Sequence, residues 1–256
     1  MQTHVSFEQK DDIGYLTFAC DERGKPTTLD LQVLDELDAC LDDIDAVTAT
    51  LRAVIVQSAF SKYFIVGANI NALQTLNAET IVPWVQRGHA VFNRLARLPM
   101  PVIAKVEGYA LGGGLELAMA CDFIVATESA KFGQPEANLG VVAGWGGSYR
   151  LPSRVGLSKA KELFFTGRIV DAETARDIGL ADFVGDVDTY LSALLTDIRK
   201  CGRTAVAYMK QLIDNSPHIT IEQNCLDEAV ASSRCMADVE TQARVASYLE
   251  SRKKKA

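Results

Sequence analysis

Residues 101–150 read PVIAKVEGYALGGGLELAMACDFIVATESAKFGQPEANLGVVAGWGGSYR, and the fold turns on this stretch. It opens with an apolar run, Val102 to Val106, the pattern of a buried strand, closed by Gly108. Three glycines, Gly112 to Gly114, then lead into Leu115 to Ala120, an apolar segment of good helix formers. Glycines ahead of a helix let a ligand approach the backbone and leave N–H groups unpaired. The positive end of the helix dipole falls at the same place, which favours negative charge there. One carboxylate, Glu116, stands inside the apolar segment, and a second, Glu136, follows Pro135 in a turn-rich loop. Taken singly, Glu116 reads as a buried ion-pair member and Glu136 as an exposed turn residue. Beside a glycine-built anion cradle, the pair reads as an acyl or enolate site.

The rest of the composition narrows the field. A chain of 256 residues can bury a substantial core as one domain, or as one domain with an appendage. An apolar share of 48% and a charged share of 23% are ordinary for a globular protein. The net charge of −7 gives no general attraction to a polyanion, which disfavours nucleic-acid binding. No apolar run reaches the length of a membrane span, and the N-terminus lacks the basic flank and apolar core of a secretory signal. Six cysteines, at 20, 40, 121, 201, 225 and 235, show no CxxC pair and no metal-ligand spacing. Free thiols of this kind fit a reducing cytoplasm. The three histidines, His4, His89 and His218, have no partner pattern, so neither a metal site nor a Ser-His-Asp triad is expected.

In chain order, Val5, Phe7 and Tyr15 to Phe18 read as two strands, and a helix is predicted from about Leu29 with Thr27 or Thr28 as N-cap. Leu51 to Gln57 reads as a buried strand, and Glu79 to Leu98 as a helix ending ahead of Pro99 and Pro101. Ser158 to Phe165 is predicted helical with Ser158 as N-cap and Gly167 beyond its end. A short helix from Asp171 to Gly179 and a strand at Phe183-Val184 follow. No Gly-x-Gly-x-x-Gly accompanies the alternation of strands and helices, so a dinucleotide fold is not indicated and periodicity yields only an α/β class. From about Asp188 the pattern turns helical, over 188–200, 204–215, 220–237 and 238–252.

Three segments carry a resemblance. Gly108-Tyr109-Ala110-Leu111-Gly112-Gly113-Gly114-Leu115-Glu116-Leu117-Ala118 resembles the signature of the crotonase (enoyl-CoA hydratase/isomerase) superfamily. Phe132-Gly133-Gln134-Pro135-Glu136 resembles its second signature, and Phe64-Ile65-Val66-Gly67-Ala68-Asn69-Ile70 its upstream oxyanion segment. The order and spacing of the three make the resemblance specific. It implies an α/β crotonase-type spiral of repeated ββα units, with two sheets and helices outside, over residues 1–187. Residues 188–256 would then form a C-terminal helical region that builds trimers, or hexamers as dimers of trimers.

The resemblance also implies a chemistry. The N–H groups of Ala68 and Gly113 would hold a thioester oxygen as negative charge develops on it, and Asn69, Ile70 and Gly144 would join Ala68 and Gly113 in binding substrate. Glu116 and Glu136 would serve as acid and base. Hydratases of the family keep both carboxylates, so the leading expectation is a 2-enoyl-CoA hydratase, a carbon–oxygen lyase of fatty-acid (lipid) metabolism. Its substrate is an acyl-CoA thioester, and no separate cofactor is implied. A Δ3-Δ2-enoyl-CoA isomerase or a specialised hydratase of an unusual acyl-CoA is the alternative, and a non-catalytic or RNA-binding member the second. The RNA-binding variant uses a lysine comb, whereas the helix near residues 79–98 has arginines 87, 94 and 97 and no lysine. Thr27, Thr28, Asn69, Asn71 and Ala143 stand where the family usually has other residues, and Trp145 reads equally as a wall of the acyl site or as packing. Arg23 and Lys25 could meet a phosphate or stay solvated. The basic tail Arg252 to Lys255 reads as a frayed terminus or as a phosphate contact.

Overall fold

Alternate residues of the strand after Pro101 go to two different cores, which explains why the run is apolar throughout. The computed structural model describes residues 2–253; Lys254 and Lys255 of the basic tail lie outside them. In chain order the elements are β1 (Thr3–Lys10), β2 (Ile13–Cys20), α1 (Leu31–Val47), β3 (Ala53–Ser58), β4 (Tyr63–Ile65), α2 (Ile70–Gln74), α3 (Ile81–Ala96), β5 (Val102–Val106), β6 (Tyr109–Leu111) and α4 (Gly113–Met119). There follow β7 (Phe123–Ala126), β8 (Lys131–Gly133), α5 (Gly147–Thr166), β9 (Ile169–Asp171), α6 (Ala172–Asp177) and β10 (Phe183–Val184). The chain closes with α7 (Val187–Lys200), α8 (Arg203–Asn215), α9 (Ile221–Ala237) and α10 (Val239–Lys253).

A six-stranded sheet runs β1-β2-β3-β5-β7-β10, and a four-stranded sheet runs β4-β6-β8-β9. In the six-stranded sheet every pair is parallel except β1–β2, and in the four-stranded sheet β9 joins β8 antiparallel. Val102, Ala104 and Val106 of β5 face the main core with Val54, Val56, Ile124 and Ala126. Ile103 faces the other side with Ile55 and Val125, where Val187, Leu191 and Leu195 of α7 cover it. Such double burial is the normal state of a parallel sheet and removes the polar alternation a half-exposed strand would show. The C-terminal region therefore begins by sealing this sheet with α7, and α9 packs on both α8 and α10.

Several boundaries differ from the sequence expectation. The cap of α1 is Asp30, whose side chain accepts from Val33 N–H, and not Thr27 or Thr28. Thr27 is buried instead, its hydroxyl donating to Phe64 O at 2.5 Å. Helix α5 is broken at Gly156, where φ is 77 and ψ 161: its second part carries the predicted Ser158–Phe165 helix to a cap at Gly167, and an additional first part runs from Gly147 to the break. On α3, Arg87 and Arg94 are engaged by α1: Arg87 bonds Asp35 and Asp38, and Arg94 bonds Asp38, Asp42 and Asp45.

Candidate active site

Strand β6 delivers the chain to the site. Beyond Leu111, the Gly112 N–H donates to Gly133 O at 2.9 Å, which joins the two signature segments through β6 and β8. Gly112 has φ 51 and ψ −126, a conformation side chains avoid, and a Cβ there would stand 2.9 Å from Glu136 Oε1. Helix α4 starts at Gly113, so the Gly113 N–H has no acceptor within the helix.

The upstream segment lies alongside. Gly67 has φ 96, and a Cβ on it would be 3.7 Å from Gly113 N. Leu29 pairs with Ala68 as an isolated parallel bridge. The bridge uses the Leu29 N–H to Gly67 O, 2.9 Å, and the Asn69 N–H to Leu29 O, 2.7 Å. A residue flanked in this way turns its own N–H to the opposite side, so the Ala68 N–H points away from Leu29. The N–H groups of Ala68 and Gly113 thus stand on adjacent segments, neither engaged by the bridge or the helix. Asn69 caps α2 and also donates to Asp30 Oδ2 at 3.3 Å, while Ile70 is exposed. Asn71 contributes its N–H to the Asn69 cap, and Arg23 and Lys25 lie exposed on their loop.

Glu116 is buried on α4, at 2% exposure. Its Oε1 accepts from the Trp145 N–H at 2.8 Å and the Gly147 N–H at 2.7 Å. Burial pushes its pKa up, while the two N–H groups and the nearby Arg150 charge oppose the shift. Glu136 opens a 3-10 turn, Glu136–Leu139. Burial, aided by the charge of Glu116, raises its pKa to about 7. The two carboxylates therefore share one electrostatic environment. Between them lies Gln134, fully buried; with its amide nitrogen turned to Glu136 it donates to Oε1 at 2.8 Å and Oε2 at 2.9 Å.

Gly144 stands against Val85 of α3. Trp145 is core packing: it is 1% exposed, with its ring centroid 4.3 Å from that of Trp84 and 5.6 Å from that of Phe92. Its indole also packs on Gly113, where a Cβ would lie 2.7 Å from the ring. The sequence reading named both carboxylates and both backbone donors but missed Gln134 and Arg150 as neighbours of the pair. Gln134 lies two residues before Glu136 inside the second signature, and that proximity is the signal the sequence offers. Among the described residues no group of three or more His, Cys, Asp or Glu side chains is placed to hold a metal ion.

This arrangement can stabilise an oxyanion while one carboxylate takes a proton and the other gives one. A family model described as enoyl-CoA hydratase/isomerase matches residues 8–255. A crotonyl-CoA hydratase of Syntrophomonas wolfei is 36% identical over 228 residues, covering 84% of this chain and 86% of that one. A short-chain-enoyl-CoA hydratase of Clostridium acetobutylicum is 34% identical, covering 88% and 87%. The crystal structure of an enoyl-CoA hydratase from Bacillus anthracis superposes with a TM-score of 0.88 at 30% identity, over 97% of this chain and 96% of that one. With the expected spiral, the paired carboxylates and these matches in agreement, the chain belongs to the enoyl-CoA hydratase/isomerase family.

Proposed function

We propose that this protein is an enoyl-CoA hydratase, adding water across the α,β double bond of a 2-enoyl-CoA to give a 3-hydroxyacyl-CoA. The observation that carries the reading is the meeting of Glu116 and Glu136 beside the Gly67–Gly113 backbone. The thioester oxygen accepts from the Ala68 and Gly113 N–H groups, bonds that strengthen as the enolate forms; losing one such donor costs about 3–4 kcal/mol of barrier. Glu116, its Oε1 fixed by two N–H groups, orients a water and takes its proton. The water oxygen bonds to the β-carbon, the double-bond electrons pass to the α-carbon and the thioester, and the α-carbon takes a proton from Glu136. A pKa near 7 suits Glu136 to that donation. Return of one proton from Glu116 to Glu136 through solvent resets the pair. Asn69, Ile70 and Gly144 complete the acyl-CoA contacts.

Coenzyme A enters as part of the substrate, and the reading asks for no separate cofactor. Homotrimers, alone or paired as hexamers, are the proposed assembly, supported by exposed apolar side chains on the C-terminal helices, among them Met209, Ile213, Ile221 and Val239. Absence of a nucleic-acid role is supported by the net charge of −7 and by the neutralised Arg87 and Arg94. No helix among the described residues is long and apolar enough to cross a membrane, and a cytoplasmic setting in fatty-acid metabolism is proposed from the family resemblance.

The test is loss of conjugated enoyl-thioester absorbance with crotonyl-CoA, the acyl group named for one relative. Rapid loss that collapses in Glu116→Gln and in Glu136→Gln supports the reading. No turnover of crotonyl-CoA or of longer 2-enoyl-CoAs overturns it.

A further inference from the structure

Two N–H groups from one short turn, those of Trp145 and Gly147, converge on a single oxygen of Glu116. The carbonyl between them, on Trp145, accepts from Arg150 Nη1 at 2.9 Å. The other arm of the same guanidinium, Nη2, donates to Asn93 Oδ1 on α3 at 2.6 Å. Asn93 Oδ1 also accepts from the Tyr149 hydroxyl at 3.0 Å, and the guanidinium lies 4.8 Å from the Tyr149 ring centroid. At Gly146, φ is 114 and a Cβ would overlap Nη1, so the guanidinium rests directly on the turn. Arg150 therefore spans the gap from α3 to the turn that grips Glu116.

We propose that Arg150 is a positioning residue of this active site: through the Trp145 carbonyl it fixes the turn whose two N–H groups hold Glu116 as an oriented carboxylate. The proposal rests on the reading of Glu116 as the base. Arg150 does not reach the reacting atoms. Its fork supplies two fixed directions, one to the turn and one to α3, which a lysine ammonium cannot reproduce with the same geometry. Its charge adds a second effect, favouring the ionised form of Glu116. The groups around this pair are few. Glu136 faces Glu116 from the 3-10 turn. On α3, His89 has its ring centroid 6.4 Å from that of Tyr149, and burial together with the Arg150 charge lowers its pKa. The Cys121 thiol beyond α4 is pushed up to about 12 by burial and stays neutral.

The experiment compares Arg150→Met, Arg150→Lys and Asn93→Ala with wild type by two readouts. One is steady-state hydration of crotonyl-CoA. The other is a carbon-13 NMR titration of the Glu116 carboxyl, with Glu116→Gln as the assignment control, which needs no turnover. For Arg150→Met the expected result is a kcat lower by about 10- to 100-fold, less than loss of a general base itself. Its KM should stay within about threefold, since no substrate contact is lost. Its Glu116 titration should move to higher pH, and Arg150→Lys should restore the titration while recovering only part of kcat. Asn93→Ala should lower kcat without moving the titration as far, and it carries the test together with Arg150→Lys if Arg150→Met does not fold. A folded Arg150→Met with wild-type kcat and titration overturns the proposal. So does a loss of kcat that only tracks loss of folded protein while the titration stays put. Wild type inactive on crotonyl-CoA, with the titration still moved by Arg150→Met, would sink the hydratase reading and leave the positioning role standing.

Discussion

The Gly147 N–H lies 2.7 Å from Glu116 Oε1, so one carboxylate ties the first turn of α5 to the middle of α4. Chemistry and architecture meet in that bond, and substitutions can separate them. Glu116→Gln keeps an oxygen for both N–H groups. It is expected to lower kcat by about 10²–10⁴ with little change in stability. Glu116→Ala leaves two buried N–H groups without an acceptor and should cost a further 2–6 kcal/mol, about 1–3 kcal/mol for each. Steady-state kinetics and denaturant melts of the two variants check both halves.

Glu136 makes stability depend on pH. Its folded pKa, about 7, lies above the ordinary carboxyl value of 4.5, so the folded chain holds this proton more tightly than the unfolded chain does. The associated stability is fully present below about pH 4.5 and is lost as pH rises through 7, by up to about 3 kcal/mol. Glu136→Gln lacks this loss, so its stability should gain on wild type between about pH 5 and 8. Parallel urea melts at several pH values test this, and a constant gap between the two proteins would count against it.

Gln134 can donate to both oxygens of Glu136. Donors to the charged form lower a carboxyl pKa, so Gln134→Leu should move the titration of Glu136 above its present value near 7. The high-pH limb of the kcat profile is expected to shift upward in this variant, while KM for crotonyl-CoA changes little.

Much of this was legible in the sequence. Glu116, Glu136 and Gly113 stood inside signature segments, and the Ala68 loop preceded them at the expected distance. The start of α1 was misplaced because Leu29 pairs with Ala68, which keeps the chain extended until Asp30 can cap. The front of α5 was missed because Gly147, Pro152 and Gly156 argue against a helix, while the bonds to Glu116 that favour its first turn come from elsewhere in the chain. Strands β4, β6, β8 and β9 have three residues each, too few to show a period of two. Arg150 could not be found by pattern, since its two partners lie on a turn and on α3.

Arg94 bonds three carboxylates of α1, Asp38, Asp42 and Asp45, and removing it leaves their charges mutually exposed. Arg94→Met should lower stability by about 1–2 kcal/mol, more at low salt, because a network exceeds an isolated surface pair. The kcat for crotonyl-CoA at 25 °C should be unchanged. Thermal melts at two ionic strengths are the check.

The exposed Met209 and Ile213 of α8 are 55% and 62% accessible in the single chain. In the proposed homotrimer or hexamer, their joint replacement by aspartate is expected to shift sedimentation towards monomer. Unchanged sedimentation would place the subunit contact elsewhere.

The cover over the outer face of the six-stranded sheet has a consequence for synthesis. Ile55, Ile103 and Val125 are made early, yet the Val187, Leu191 and Leu195 that cover them come from the last third of the chain. A ribosome that has released residues up to Val184 has delivered β1 to β10, including both signature segments, with one greasy face still bare. During that interval the nascent chain presents an exposed apolar stripe of β-branched residues, which is covered only when α7 emerges. A chain truncated just before Val187 should therefore be captured by holdases or aggregate, although every residue assigned to the reaction is present.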